Sequence, residues 1–211
     1  YASLPAPGNR VSPAQAGLMA KIVSGSGSSA ITAAAGAHHY RVIGIEAAPP
    51  ANAFIDNLIM LGYGNEATAA QQPHHIIFDR CYVHGDPAKG GRRGFALNGV
   101  HMAVVDSYIS DFKSTQYDSQ AVWGAFGQGP YKIQNNYLEA AAENVMFGGA
   151  DPTISNLIPA DIEIRGNYFF KPMAWKTGGW VVKNLFEMKI GRRILAEGNV
   201  MDYNFMSADQ D

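Results

Sequence analysis

Residues 162–169 read Ile162-Glu163-Ile164-Arg165-Gly166-Asn167-Tyr168-Phe169. Apolar and charged residues alternate through the first four positions, the period-two pattern of a half-buried strand. Four other stretches share this register: 76–83, 102–109, 131–138 and 194–201. In each, the first and third residues are apolar or aromatic and the eighth is apolar. The sixth is small or an amide (Cys81, Ser107, Asn136, Asn167, Asn199), and the seventh is Tyr in all but the last, where it is Val200. The segments begin 26 to 32 residues apart, a solenoid period with the differences absorbed in loops.

A further strand pattern follows each of the first four segments in the same order: Phe95-Ala96-Leu97, Val122-Trp123-Gly124, Val145-Met146-Phe147 and Phe186-Glu187-Met188. His39 to Glu46 reads as an earlier coil in looser form, with Phe54 to Leu61 as its second strand. Two strands per period, each pairing with its counterpart one period away, describe an all-β, right-handed parallel β-helix solenoid. An inward file of amides at a coil corner has a physical use, because stacked amides can satisfy each other and the corner backbone. A β-sandwich has no reason to hold such a fixed corner residue. Residues 1–36 read as an N-terminal segment, an incomplete first coil with a short helix, and 37–211 as the coils. The helical candidates are Pro13 to Ile22 and Ala30 to Ala35, with Ser24 to Ser29 as a flexible link.

Gly166-Asn167-Tyr168-Phe169 and Asn135-Asn136-Tyr137-Leu138 resemble the corner pattern of the pectate-lyase-like right-handed β-helix superfamily. Ala37-His38-His39-Tyr40-Arg41, His84-Gly85-Asp86-Pro87, Glu143 to Pro152 and Lys183-Asn184-Leu185-Phe186-Glu187 resemble uncharacterised β-helix proteins of environmental bacteria. The resemblance spans roughly residues 37 to 205. It implies the fold, and a superfamily that includes polysaccharide lyases, glycoside hydrolases, esterases and non-catalytic adhesins. It implies no catalytic residue, since no catalytic motif of those families is present.

The chain has 211 residues, of which 47% are apolar and only 16% charged, with 23 glycines and 11 prolines. This is the mixture of a protein with many turns and little exposed helix. The net charge of −2 leaves no basic excess to neutralise a phosphate backbone, which argues against a nucleic-acid partner. No run of eighteen apolar residues spans a bilayer. The single cysteine, Cys81, excludes an intrachain disulfide framework and reads as a buried inert thiol in the corner file. The opening Tyr1 and the closing Ser207-Ala208-Asp209-Gln210-Asp211 suggest a fragment lacking one or both natural caps. The resemblance implies an extracellular or cell-surface bacterial protein.

Chemistry is expected on the inserts that leave equivalent corners, because longer insertions on one side of a solenoid often form its binding face. These are His84 to Arg93, Ser110 to Ser119 and Lys171 to Val182, with a short Glu139 to Ala142 between the last two. For a polysaccharide lyase, Arg92 or Arg93 would be the base, and Asp86 and Asp118, with Asp111, would hold calcium against a uronate. For a glycosidase, Asp111 and Glu139 on the next coil would be the carboxylate pair. His84, Lys89, Lys113, Tyr117, Trp175 and Trp180 would bind the sugar. The alternative is an adhesive, glycan-binding or structural module without catalysis. An esterase lacks a Gly-x-Ser-x-Gly elbow. Lys132 over Glu163, with Gln134, Arg165 and Glu197, reads as a ladder of cross-strand neighbours. His38-His39 and His74-His75 precede strands by similar distances and are expected at one corner, where a metal site is one reading and hydrogen bonding to backbone the other.

Overall fold

A computed structural model describes residues 3–25 and 27–205. Strands β1 (Ala20–Val23) and β2 (Ile31–Ala33) come first. Coils of three strands follow: β3 (His38–Ile43), β4 (Ile45–Ala48) and β5 (Asn57–Leu61), then β6 (His74–Asp79), β7 (Tyr82–His84) and β8 (Arg93–Leu97). Next are β9 (Val100–Val105), β10 (Tyr108–Phe112) and β11 (Gln120–Gly124), then β12 (Tyr131–Gln134), β13 (Tyr137–Ala140) and β14 (Glu143–Phe147). The last are β15 (Ala160–Arg165), β16 (Tyr168–Phe170) and β17 (Phe186–Met188), followed by β18 (Arg192–Glu197) and β19 (Val200–Asp202). Each strand pairs in parallel with its counterpart one coil away, giving three sheets: A (β1-β4-β7-β10-β13-β16-β19), B (β2-β5-β8-β11-β14-β17) and C (β3-β6-β9-β12-β15-β18). The chain is a right-handed parallel β-helix.

The eight-residue repeat is therefore two strands, not one. Its first four residues lie in sheet C and its last two in sheet A, joined by a two-residue corner. The sequence hides this corner because its first residue, although left-handed, is often not glycine. Arg80, Asp106 and Asn135 adopt φ of 51°, 54° and 54°, where Gly44, Gly166 and Gly198 stand in the other coils. A left-handed L-residue costs roughly 1–2 kcal/mol, so something at the corner must offset it.

The amide file does so. Asn167 Oδ1 accepts from Asn136 N (2.9 Å) and Asn136 Nδ2 (3.0 Å), and Asn199 Oδ1 accepts from Asn167 N and Nδ2 at the same distances. The Nδ2 groups also donate inward to Val104 O, Ile133 O and Ile164 O, each at 2.8 Å. Ser107 N donates to Asn136 Oδ1, and Cys81 N donates to Ser107 Oγ. Each amide thus satisfies a backbone N–H and a backbone carbonyl of the coil before it, at almost no exposure for Asn136 and Asn167.

Inward residues follow the alternation. Ile76, Met102, Tyr131 and Ile162 form one buried file and Phe78, Val104, Ile133 and Ile164 another. The outward Lys132 pairs in register with Glu163, and Gln134 with Arg165 and then Glu197. Arg165 reaches Glu197 at 3.4 Å, but Lys132 and Glu163 are 4.0 Å apart. On sheet A, Tyr108 and Tyr137 stack at 4.0 Å and Tyr137 continues to Tyr168.

Pro13–Leu18 is a short 3-10 helix that turns the chain, and the expected helix stops there: Ala20–Val23 is strand, as is Ile31–Ala33. The residues before that turn cross the outside of the C–A corner. Arg80 Nη1 donates to Pro5 O, Gly8 N donates to Asp106 Oδ2, and Asn135 Nδ2 donates to Gly8 O. Arg10 donates to Asn135 O and Gly166 O. Leu4, Val11 and Met19 pack with Tyr82 and Tyr108.

Two outcomes test this architecture. Asn167→Ala strands two buried backbone groups and is expected to lower unfolding free energy by about 2–4 kcal/mol in urea titration, whereas Asn9→Ala, which removes one exposed bond to Ala6 O, changes it negligibly. Burial pushes the Cys81 thiol up to about 11, so at pH 8 a soluble disulfide reagent is expected to label it only after unfolding.

Candidate functional site

The turns that follow β7, β10, β13 and β16 all leave sheet A toward sheet B, so the expected insert residues share one corner. Their side chains nevertheless divide between two faces.

On the sheet A side, Lys113 Nζ lies 2.9 Å from Asp111 Oδ1, and Glu139 Oε1 accepts from Asp111 N at 3.0 Å. Glu139 Oε2 accepts from the Tyr137 hydroxyl. Burial pushes the Glu139 carboxyl above its ordinary value, against the opposing bonds from Asp111 and Tyr137. His84 stacks on Tyr82 and lies 3.4 Å from Glu46. Lys113 sits 5.0 and 5.3 Å from the Trp175 and Trp180 rings. Trp175 is buried with Ala141 and Val182, and Trp180 packs on that cluster, so Trp175 acts as an anchor.

Asp86 serves its own turn. Its carboxylate accepts from Ala88 N, Lys89 N and Asn52 N at 2.7–2.9 Å. Burial would raise its pKa, but those backbone donors hold it below the usual carboxylate range. The Lys89 side chain is exposed at the tip of that turn. Asp118 is taken up instead by Lys183 Nζ at 2.6 Å. Among the described residues, the trio of metal-ligating groups with donor atoms within 4.8 Å of one another is His39, His74 and His75, and no carboxylate cluster forms around Asp86 and Asp118.

On the sheet B side, Asn57, Arg93, Gln120 and Glu143 stand in one register file. Arg93 Nε donates to Gln120 Oε1 (3.0 Å), Arg93 Nη1 donates to Asn57 Oδ1 (3.4 Å), and Gln120 Nε2 donates to Glu143 Oε2 (2.6 Å). The Arg93 guanidinium lies 3.9 Å from the Trp123 ring centroid. Burial, then the charge of Arg92, lowers its pKa to about 10, and it stays protonated at neutral pH. Glu143 is fully buried, and burial pushes its carboxyl up. Lys183 lies 4.0 Å from its Oε1, bridging toward Asp118.

Above this file is a cleft of about 350 Å³, lined among others by Asn57, Tyr63, Arg92, Arg93, Asp118 and Gln120. Arg92 lies over the Tyr117 ring at 5.2 Å, and Tyr117 adjoins Phe54 at 6.5 Å. Tyr63 and Tyr117 are 53% and 47% exposed, so both leave ring surface within reach of a ligand.

The structure thus brings Arg92, Arg93, Tyr117 and Asp118 to one face. It brings His84, Asp111, Lys113 and Glu139 to the other. Sequence reasoning missed Asn57, Gln120, Glu143, Lys183 and Tyr63. A signal existed: Asn57, Arg93, Gln120 and Glu143 each stand two residues before the buried Ile59, Phe95, Val122 and Val145.

Comparison with protein-family models, with curated proteins and with solved structures gives no match. No helix among the described residues is long and apolar enough to cross a membrane.

Lys171, in the same corner, is structural. It has no exposed surface, and its Nζ donates to Ala140 O, Ala141 O and Ala142 O at 2.6–2.9 Å, with Asn144 Oδ1 at 3.2 Å. Lys171→Met, which leaves those carbonyls without a donor, is expected to cost about 3 kcal/mol. Burial lowers the ammonium pKa to about 7, below the 10.5 of an ordinary lysine. The unfolded chain therefore binds more protons across that window, and wild-type stability is expected to rise with pH from about 7 toward 10.5. Urea titrations at several pH values should show that rise in the wild type and not in the Met variant.

Proposed function

We propose that this protein is a secreted β-helix of the pectate-lyase-like kind that binds polysaccharide across the outer face of sheet B. The observation that carries the reading is the file Asn57–Arg93–Gln120 along a cleft walled by the exposed Tyr63, with Tyr117 beside it under Arg92. Aromatic faces pack on the apolar C–H faces of sugar rings, and a fixed row of amides and guanidinium groups matches hydroxyls and carboxylates in direction as well as charge. Arg93 is held by Asn57 and Gln120 before any ligand arrives, so less rotamer freedom is lost on binding. Arg92, closer to solvent, supplies a second cationic contact for a uronate. The cleft volume lies within the range of small-ligand pockets, enough for a short stretch of a longer chain.

A second reading, cleavage at the edge of the cleft, is favoured by Lys183 lying between Asp118, which lines it, and the buried Glu143 behind it. A pair of carboxyl groups in unlike surroundings can divide the roles of acid and base. The Asp111–Glu139 pair on sheet A offers the same chemistry away from the cleft.

Titration calorimetry against a panel of uronate-containing and neutral polysaccharides, with and without calcium, tests both. Saturable binding is expected, weakened at least tenfold by Arg92→Ala and by Tyr117→Ala. Ultraviolet absorbance from unsaturated ends would assign a lyase, and new reducing ends alone a hydrolase. Absence of binding across the panel overturns the proposal.

A further inference from the structure

Five of the six histidines gather on sheet C, on a different face from the cleft. Pairing of β3 with β6 sets His38 on His74, their rings stacked at 4.8 Å. The next residue in each strand is left-handed: His39, His75 and His101 adopt φ of 60°, 55° and 53°. This turns their rings into a second file, stacked at 4.6 Å and 4.3 Å. Within each coil the two files meet edge-on. His38 Nδ1 lies 2.8 Å from His39 Nδ1, and His74 Nδ1 lies 2.8 Å from His75 Nδ1.

Two imidazole nitrogens bound cis on one metal at ~2.0–2.1 Å stand roughly 2.9–3.3 Å apart, close to the spacing that already exists within each pair. One donor atom each from His39, His74 and His75 lies within 4.8 Å of the others. Half-exposed and exposed rings need only side-chain rotation to close that gap. The carriers are strand residues in register, a more rigid platform than a loop. No carboxylate belongs to the trio. An all-imidazole donor set suits copper, nickel or zinc and does not suit calcium or magnesium.

We propose that His39, His74 and His75 form a binding site for one divalent transition-metal ion, with His38 and His101 flanking it. The site opens onto a groove of about 710 Å³ along the outside of sheet C, lined further along by Arg41, Lys132, Glu163 and Arg193. A fourth coordination position would face that groove.

The test is titration of the purified chain with Cu²⁺ and Zn²⁺ at pH 7.5, followed by calorimetry, with electron paramagnetic resonance of the copper form. One equivalent of tightly bound metal is expected, with superhyperfine splitting from several nitrogen ligands. His74→Ala is expected to weaken binding at least tenfold. His39→Asn and His75→Asn keep a residue that tolerates left-handed φ, so they separate loss of a ligand from loss of the fold, and each is expected to show the same weakening with an unchanged far-ultraviolet spectrum. A copper spectrum without nitrogen coupling, or affinities that the three variants leave unchanged, overturns the proposal.

Discussion

A parallel solenoid must turn its backbone through a sharp corner in every coil while leaving no buried peptide group without a partner. Here the turn between sheets C and A uses a left-handed residue followed by a side chain pointing into the core. The side-chain carbonyl takes the N–H of the coil before it, and the side-chain N–H₂ donates back to that neighbour's backbone and forward to the amide of the coil after it. Register between coils is fixed by this exchange, since a slip of one residue would place an apolar group where an amide is needed. Stacked tyrosines, paired charges and the histidine files all inherit their alignment from it.

The same regularity explains what could be read from the sequence. Alternation and the corner amide recur in Ile162 to Phe169 and its counterparts, so the solenoid, its period and the stacking of Asn136, Asn167 and Asn199 were all legible. The third sheet was not. A corner of two residues built on Arg80, Asp106 or Asn135 carries no glycine or proline to mark it, and the strands on either side read as one. The crossing segment from Pro5 to Arg10 was equally hidden, because its partners are corner residues more than seventy residues away.

The site was half legible for a related reason. Equivalent loop positions could be inferred from the period, and Arg92, Arg93, Tyr117 and Asp118 do share a face. The corner between sheets A and B, however, sends side chains to opposite sides within a few residues, so Asp111 and Glu139 part from Arg93 although the same turns carry them. Loop composition alone could not distinguish Lys171, which is enclosed by carbonyls, from Lys89, which faces water. The histidine pairs were visible as pairs, but their second file depends on left-handed conformations that the residue type does not announce.

In an ideal stack, each coil touches only its neighbours, and disorder can creep in from either end one rung at a time. The segment from Pro5 to Arg10 departs from that scheme. It meets corner residues Arg80, Asp106, Asn135 and Gly166, one in each of four successive coils. Such a fastener couples rungs that are not adjacent, so peeling any one of them means loosening contacts to the others. It converts a one-dimensional array, whose middle would be only as firm as its nearest contacts, into a block that holds or gives way together.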